Sequence, residues 1–236
     1  VYGRLRTPIL NFFQEWCGNR LAKGLIRPGG THFPFTEPLA KRLLEILSLY
    51  EPDLNEMSTK LFKLPSALSR FEKTGVLHTH DALSAGIVGV AARMSGVNRD
   101  IRASHPYGLY TTFTHEPIVK HHGDVYSRTK IRWQEIEQSA GYIRSWVNRV
   151  PERSVPLPLS ESARPQLFAI SLVEGWRGEI CHCAITGAKG ELVHYKVKDP
   201  SFHNWLALAL AVRNNEISDF PVCNKSFNLS YAAHDL

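Results

Sequence analysis

The chain has 236 residues, 43% of them hydrophobic and 21% charged, with a net charge of +6. That is enough apolar surface for one large domain or two small ones, and it excludes disorder as the state of the whole. No apolar run reaches the roughly 18 residues of a membrane-spanning helix, "NWLALALAVR" at 204–213 being far too short. The basic residues are scattered, without runs or interleaved stacking aromatics, so nucleic acid is not an expected partner. The positive excess still suits an anionic membrane surface or an acidic protein. Cys17, Cys181, Cys183 and Cys223 are too few and too dispersed for a disulfide scaffold, which points to a reducing compartment. The chain opens on Val1 with no secretory pattern, so it is expected to start part-way through a longer gene product.

In chain order, "FFQEWCGNRLAKGLIRPGG" reads as a helix end followed by a turn at Gly29-Gly30. Thr36 to Tyr50 predicts a helix with a capping Thr36, a proline in its first turn and an apolar face of Leu39, Leu43, Ile46 and Leu47. A second helix is expected over 53–70, ending near Pro65 or just past it. Residues 74–97 are punctuated by Gly75, Gly86, Gly89 and Gly96 into short pieces, with Thr79 as an N-cap. Asp124 to Val150 predicts a central helix whose stripe of Val125, Thr129, Trp133, Ile136, Ala140, Ile143, Val147 and Val150 is buried. Residues 151–166 are proline-rich and read as a linker. Strands are expected over 167–174, 179–186 and 191–198, with "TGAKGE" as a hairpin turn. Asp199-Pro200 then opens a helix. The fold class is α+β: a helical portion over 1–150, the linker, and a small antiparallel meander with a C-terminal helix and a pocket-lining tail over 167–236.

"CHC" at 181–183 puts Cys181 and Cys183 on one strand face and His182 on the other. Three ligands cannot converge from there, so buried thiols are expected and no metal is assigned to the chain. "HTH" at 78–80 and "HH" at 121–122 read as solvated or capping histidines, a joint metal site being the sharper alternative. Arg93, Asp100 and Arg102 lie in the polar stretch "ARMSGVNRDIRASHPYG", as either a buried ion-pair network or a pocket wall. Glu174 and Arg177 flank a turn in "LVEGWRGEI", either as surface charges or aimed into a cavity to polarise a substrate and guide protons. The tail "NKSFNLSYAAHDL" is apolar, aromatic and amide-rich, unlike a loose terminus.

Several of these stretches together resemble one family. They are "NRLAKGLIRPGG", the pattern R-x-S-G-x-x-x-D-x-R-x-x-x-P-Y at 93–107, G-D-V-Y-x-R at 123–128, and "VEGWRGEICHCAITGAKGELVHYKVKDPSFHNW". The chain resembles the large subunit of energy-converting nickel–iron hydrogenases and, equally, the forty-nine-kilodalton subunit of respiratory complex I.

The resemblance implies a subunit of a membrane-associated, multi-subunit oxidoreductase of the NADH-dehydrogenase or hydrogenase kind, with quinone and NAD among the ligands of such complexes. It implies an iron–sulfur small subunit and membrane subunits as partners, and a peripheral place on the cytoplasmic side of the inner membrane. In the hydrogenases the family closes on S-F-D-P-C-x-x-C, whose cysteines hold nickel and iron. Here that place reads Ser226-Phe227-Asn228-Leu229-Ser230-Tyr231-Ala232-Ala233, with Ser230 and Ala233 for the thiolates. The family's other metal-binding pair lies upstream of Val1. A metal-free cavity for quinone or another acceptor is therefore implied, with an iron–sulfur cluster in the partner subunit. Glu174 and Arg177 are its expected catalytic residues; Arg93, Asp100, Arg102, Asn228, Ser230 and Tyr231 are expected to bind the acceptor, against an apolar wall of Phe227, Leu229 and Tyr231. The alternative is a hydrogenase remnant that serves only as an assembly scaffold.

Overall fold

The computed structural model describes residues 2–150 and 163–232. Its main elements are α1 (Tyr2–Cys17), β1 (Ile26–Arg27), β2 (Gly30–Thr31), α2 (Glu37–Leu61), α3 (Pro65–Phe71), α4 (Thr79–Ser84), α5 (Gly89–Arg93), α6 (Ile101–Ser104), α7 (Val125–Trp146), β3 (Phe168–Gly175), β4 (Gly178–Thr186), β5 (Leu192–Lys198), α8 (Pro200–Ala211) and α9 (Phe220–Phe227). The α+β expectation holds: helices dominate, and the one sizeable sheet among the described residues lies in the C-terminal part. Most of the linker reading, 151–162, lies outside the described residues.

Packing divides the chain into two compact units, one from residues 1–64 and 136–161 and one from 65–135 and 162–236. The first unit packs α1 against α2 around Leu5, Phe12, Ala40, Ile46, Leu47 and Leu54, with Ala140 and Val147 also buried. Pro28-Gly29 closes the β1–β2 hairpin; proline's fixed φ and Gly29 at φ +90° are the two central positions of a type II turn. The helix expected over Thr36–Tyr50 does not stop there. It runs to Leu61 through Pro52 and takes in the start of the helix expected over 53–70, whose end is the separate α3, and its buried face continues to Leu54 and Ser58. Thr36 occupies the N-cap, but its side chain makes no capping hydrogen bond.

The second unit holds the larger core, where Leu77, Ile87, Val90, Met94, Val125, Ile131, Leu208 and Phe227 are all buried. Thr79 is the first residue of α4 rather than its cap; its hydroxyl instead donates to the Ser95 carbonyl at 2.5 Å. The first half of α7 belongs to this unit and the second half to the other. The expected buried stripe of α7 holds only in part. Val125, Ala140 and Val147 are buried and Trp133 and Ile136 half-buried, but Ile143 is 36% exposed and Val150, beyond the helix, 43%. In its first turns the buried side includes Ser127, Arg128 and Ile131, and the Arg128 guanidinium is tolerated there because it finds hydrogen-bond partners.

The meander β3–β4–β5 is antiparallel throughout, within a residue or so of the expected strands. Period-two patterning and Gly turns are local signals, which is why they read so clearly. Two residues, Trp176 and Arg177, close the first hairpin between the paired Gly175 and Gly178. The hairpin rests directly on α5. A Cβ on Gly89 would lie 2.3 Å from the Gly178 Cα, so only glycine permits this approach. Asn204 on α8 fixes the same junction, donating to the carbonyls of Val88 at 3.2 Å and Arg177 at 3.1 Å and accepting from the Val88 amide at 3.1 Å. α8 itself opens as expected, with Asp199 capping the Ser201 amide at 2.7 Å.

Candidate functional site

The first cluster grows from the 93–107 pattern. Arg93 ends α5 with 1% exposure and faces three carboxylates: Glu135 at 2.6 Å, Glu174 at 3.0 Å and Asp100 at 3.2 Å. Arg102 forks onto Asp100 at 2.6 and 2.9 Å and reaches Glu135 at 3.2 Å. His115 lies 3.3 Å from Asp100. Asp100 also caps α6 by accepting from the Arg102 amide, and Tyr107 accepts from the Glu174 amide at 3.1 Å. The two readings of Arg93, Asp100 and Arg102 thus resolve toward the buried ion-pair network, which joins α5, α6, α7 and the end of β3.

Burial works against the charges of Arg93, Arg102, Asp100 and Glu174, and the pairing overcomes it at the first three. It would raise the Asp100 carboxyl, but hydrogen bonds from His115 and Arg102 and the two guanidiniums hold it well below the usual range. It would lower Arg93, but Glu135, Glu174 and Asp100 leave its pKa raised. Glu174 is the exception: burial prevails over its 3.0 Å contact with Arg93, and its carboxyl is pushed up. Sequence reasoning missed Glu135 and His115, since no local signal separates a buried helix glutamate or a loop histidine from an exposed one. On the flank, Arg99 grips Glu179 bidentately at 2.9–3.2 Å.

The second cluster gathers on the tail. Asn228 ends α9 in the left-handed region, φ +54°, a conformation that Asn tolerates better than most residues. Arg177 donates from Nε to the Asn228 carbonyl. Arg132 donates to the carbonyls of Phe227 at 3.1 Å and Trp176 at 3.3 Å and lies over the Trp176 ring at 4.4 Å. Arg128, 1% exposed, donates to Ser226 Oγ at 2.7 Å and to the carbonyls of Gly75 and Gly123, and sits 4.2 Å above the Phe227 ring. The Ser230 amide donates to Ser201 Oγ and its carbonyl accepts from Trp205, both at 3.1 Å.

Of the expected site residues, Arg93, Asp100, Arg102 and Glu174 therefore share one hydrogen-bonded group, Arg177 meets Asn228 in another, and Ser230 and Tyr231 lie against α8. The expected apolar wall is corrected: Phe227 and Leu229 are buried in the core, because they complete it beneath α8 and α9, while Tyr231 is 68% exposed. Beside the tail opens a cleft of about 330 Å³, lined by Asn228, Ser226, Arg132, Thr129, Lys225, Trp176, Phe71, Val125 and Val222.

The thiols of Cys181 and Cys183 share a face of β4, 3.7 Å apart, but are half-buried rather than fully buried. His182 meets Tyr195 on the neighbouring strand. Among the described residues no three His, Cys, Asp or Glu gather as a metal would require. A resident nickel–iron centre does not fit the tail: where thiolates would be needed stand Ser230, its main chain tied to Ser201 and Trp205, and the methyl of Ala233.

The sequence matches one known family over most of its length. The model of the respiratory-chain NADH dehydrogenase 49 Kd subunit matches residues 2–166. The chain belongs to that family. Among similar curated proteins are the carbon monoxide-induced hydrogenase of Rhodospirillum rubrum, 29% identical over 89% of this chain, and an NADH-quinone oxidoreductase subunit of Bacillus cereus, 30% identical over 92%. Subunit 4 of the NADH-quinone oxidoreductase of Thermus thermophilus is 27% identical over 92% of this chain. The chain spans only 58–60% of the length of these relatives. No described helix is long and apolar enough to cross a membrane.

Proposed function

We propose that this chain forms part of a peripheral subunit of a membrane-associated redox complex, and that its tail borders a metal-free cavity for quinone or a similar acceptor. An iron–sulfur subunit would deliver the electrons, and membrane subunits of the same complex would hold the assembly on the cytoplasmic face. The observation that carries the reading is the Arg177–Asn228 bond: the turn arginine singled out by its sequence context meets the segment that in hydrogenases bears the metal ligands. A guanidinium there can stabilise the oxyanion that develops on a reduced acceptor, with Asn228, Ser230 and Tyr231 as hydrogen-bonding groups around it. Glu174, whose carboxyl burial pushes up, is the member of the network with Arg93, Asp100 and Arg102 best suited to hold a proton and pass it on.

The test is Arg177→Ala in the full-length gene product, purified with its complex from native membranes. Acceptor reduction should fall by about 10²–10³-fold with subunit composition unchanged. A stable monomer in membrane-free extract would refute the partner assignment. Lost assembly without a specific rate effect would establish the scaffold reading, which the same bond also favours, since it ties the tail to the β3–β4 turn.

A further inference from the structure

The two arginine clusters differ in charge balance. Around Arg93 and Arg102 stand the carboxylates of Asp100, Glu135 and Glu174. Around the tail, Arg128, Arg132 and Arg177 spend their donors on carbonyls, a hydroxyl and, at Arg128, the sulfurs of Met94 and Cys223, and none forms an ion pair with a described residue. Burial, with repulsion from Arg177 and Arg93, outweighs the attraction of Glu135 and lowers Arg132 to about 10; burial lowers Arg128 likewise to about 10. Positive charge here is costly and undercompensated.

Of the three, Arg132 lines the cleft. The cleft's polar wall is Arg132, Lys225, Thr129 and Asn228, its apolar wall includes Trp176 and Phe71, and no acidic residue among the described residues lines it. Lys225 is exposed and forms no ion pair with a described residue. We propose that the cleft binds a small organic anion, its carboxylate or phosphate head between Arg132 and Lys225 and its apolar body against Trp176 and Phe71. The volume is at the low end for ligand sites, which suits a small acid or the head and first carbons of an anionic lipid. The head supplies the counter-charge that the described residues withhold, and the guanidinium already stacked on Trp176 is held in place to receive it. A neutral acceptor would need neither cation, so the inference stands apart from the redox reading.

The test uses the full chain at low ionic strength. Calorimetry compares 2-naphthoate with the neutral 2-naphthamide, and flotation compares phosphatidylcholine vesicles with and without phosphatidylglycerol. Naphthoate should bind saturably and about tenfold more tightly than the amide, a charge-assisted hydrogen bond being the difference. Lys225→Gln, at an exposed position without an ion pair, keeps the fold and should weaken anion binding about threefold or more. Arg132→Gln should abolish it. Phosphatidylglycerol-dependent flotation that Lys225→Gln removes, without naphthoate binding, would support the site and assign the head to a lipid. Equal binding of acid and amide, no response of either probe to Lys225→Gln, or no binding of either probe would overturn the proposal.

Discussion

Replacing Arg93 with methionine tests what holds the second unit together. The side chain keeps its bulk and loses its charge in a place with 1% exposure. Asp100 retains Arg102 and His115, and Glu135 retains Arg102. Glu174 retains only the Ile101 amide at 3.3 Å, so the unpaired charge falls there. Removing one partner of a buried pair costs about 3–5 kcal/mol. With a urea dependence of about 2 kcal/mol per molar, the midpoint should drop by roughly 2 M. The assay is urea unfolding of the full chain followed by tryptophan fluorescence and circular dichroism. Because the penalty sits on an ionised Glu174, it should shrink at low pH, and Arg93→Met/Glu174→Gln should recover most of it. A loss under about 1 kcal/mol, or no recovery in the double variant, would refute the claim that this network carries buried charge.

The pH dependence follows from the same groups. Asp100 has a folded pKa below its unfolded value, so its contribution is complete above about pH 4 and is lost as pH falls; Asp100→Asn should flatten the acid limb of a stability–pH profile. Glu174 has a raised folded pKa, so its contribution is present below about pH 4.5 and is lost as pH rises through the raised value; Glu174→Gln should remove that decline. Gly123→Ala should cost about 2–5 kcal/mol in the same denaturation assay, since φ is +70° and a Cβ would stand 2.1 Å from the Leu77 carbonyl oxygen. Alkylation of the native chain at pH 8.5, read by mass spectrometry, should modify Cys181 and Cys183 while the buried Cys17 and Cys223 react only after unfolding.

The sequence by itself determined the class of fold, the meander and the opening of α8. Each rests on neighbours in the chain: alternating side chains, Gly at hairpin ends, and Asp199 one residue before a proline. It also marked Arg93, Asp100, Arg102, Glu174, Arg177 and Asn228, because charges among apolar neighbours and a departure from the hydrogenase pattern are visible in one dimension. What it left open was who meets whom. Glu135 joins Arg93 from α7 and His115 joins Asp100 from a loop, contacts across 42 and 15 positions. The same limit explains the errors. Pro52 reads as a boundary, yet packing along α2 carries the helix through it. Phe227 and Leu229 read as a cavity wall, yet they seal the core; Ile143 reads as buried, yet lies open. An apolar residue's period says that a face exists, while only the assembled neighbours decide whether that face is covered, and whether a guanidinium finds a carboxylate, as at buried Arg93, or carbonyls, as at half-buried Arg132.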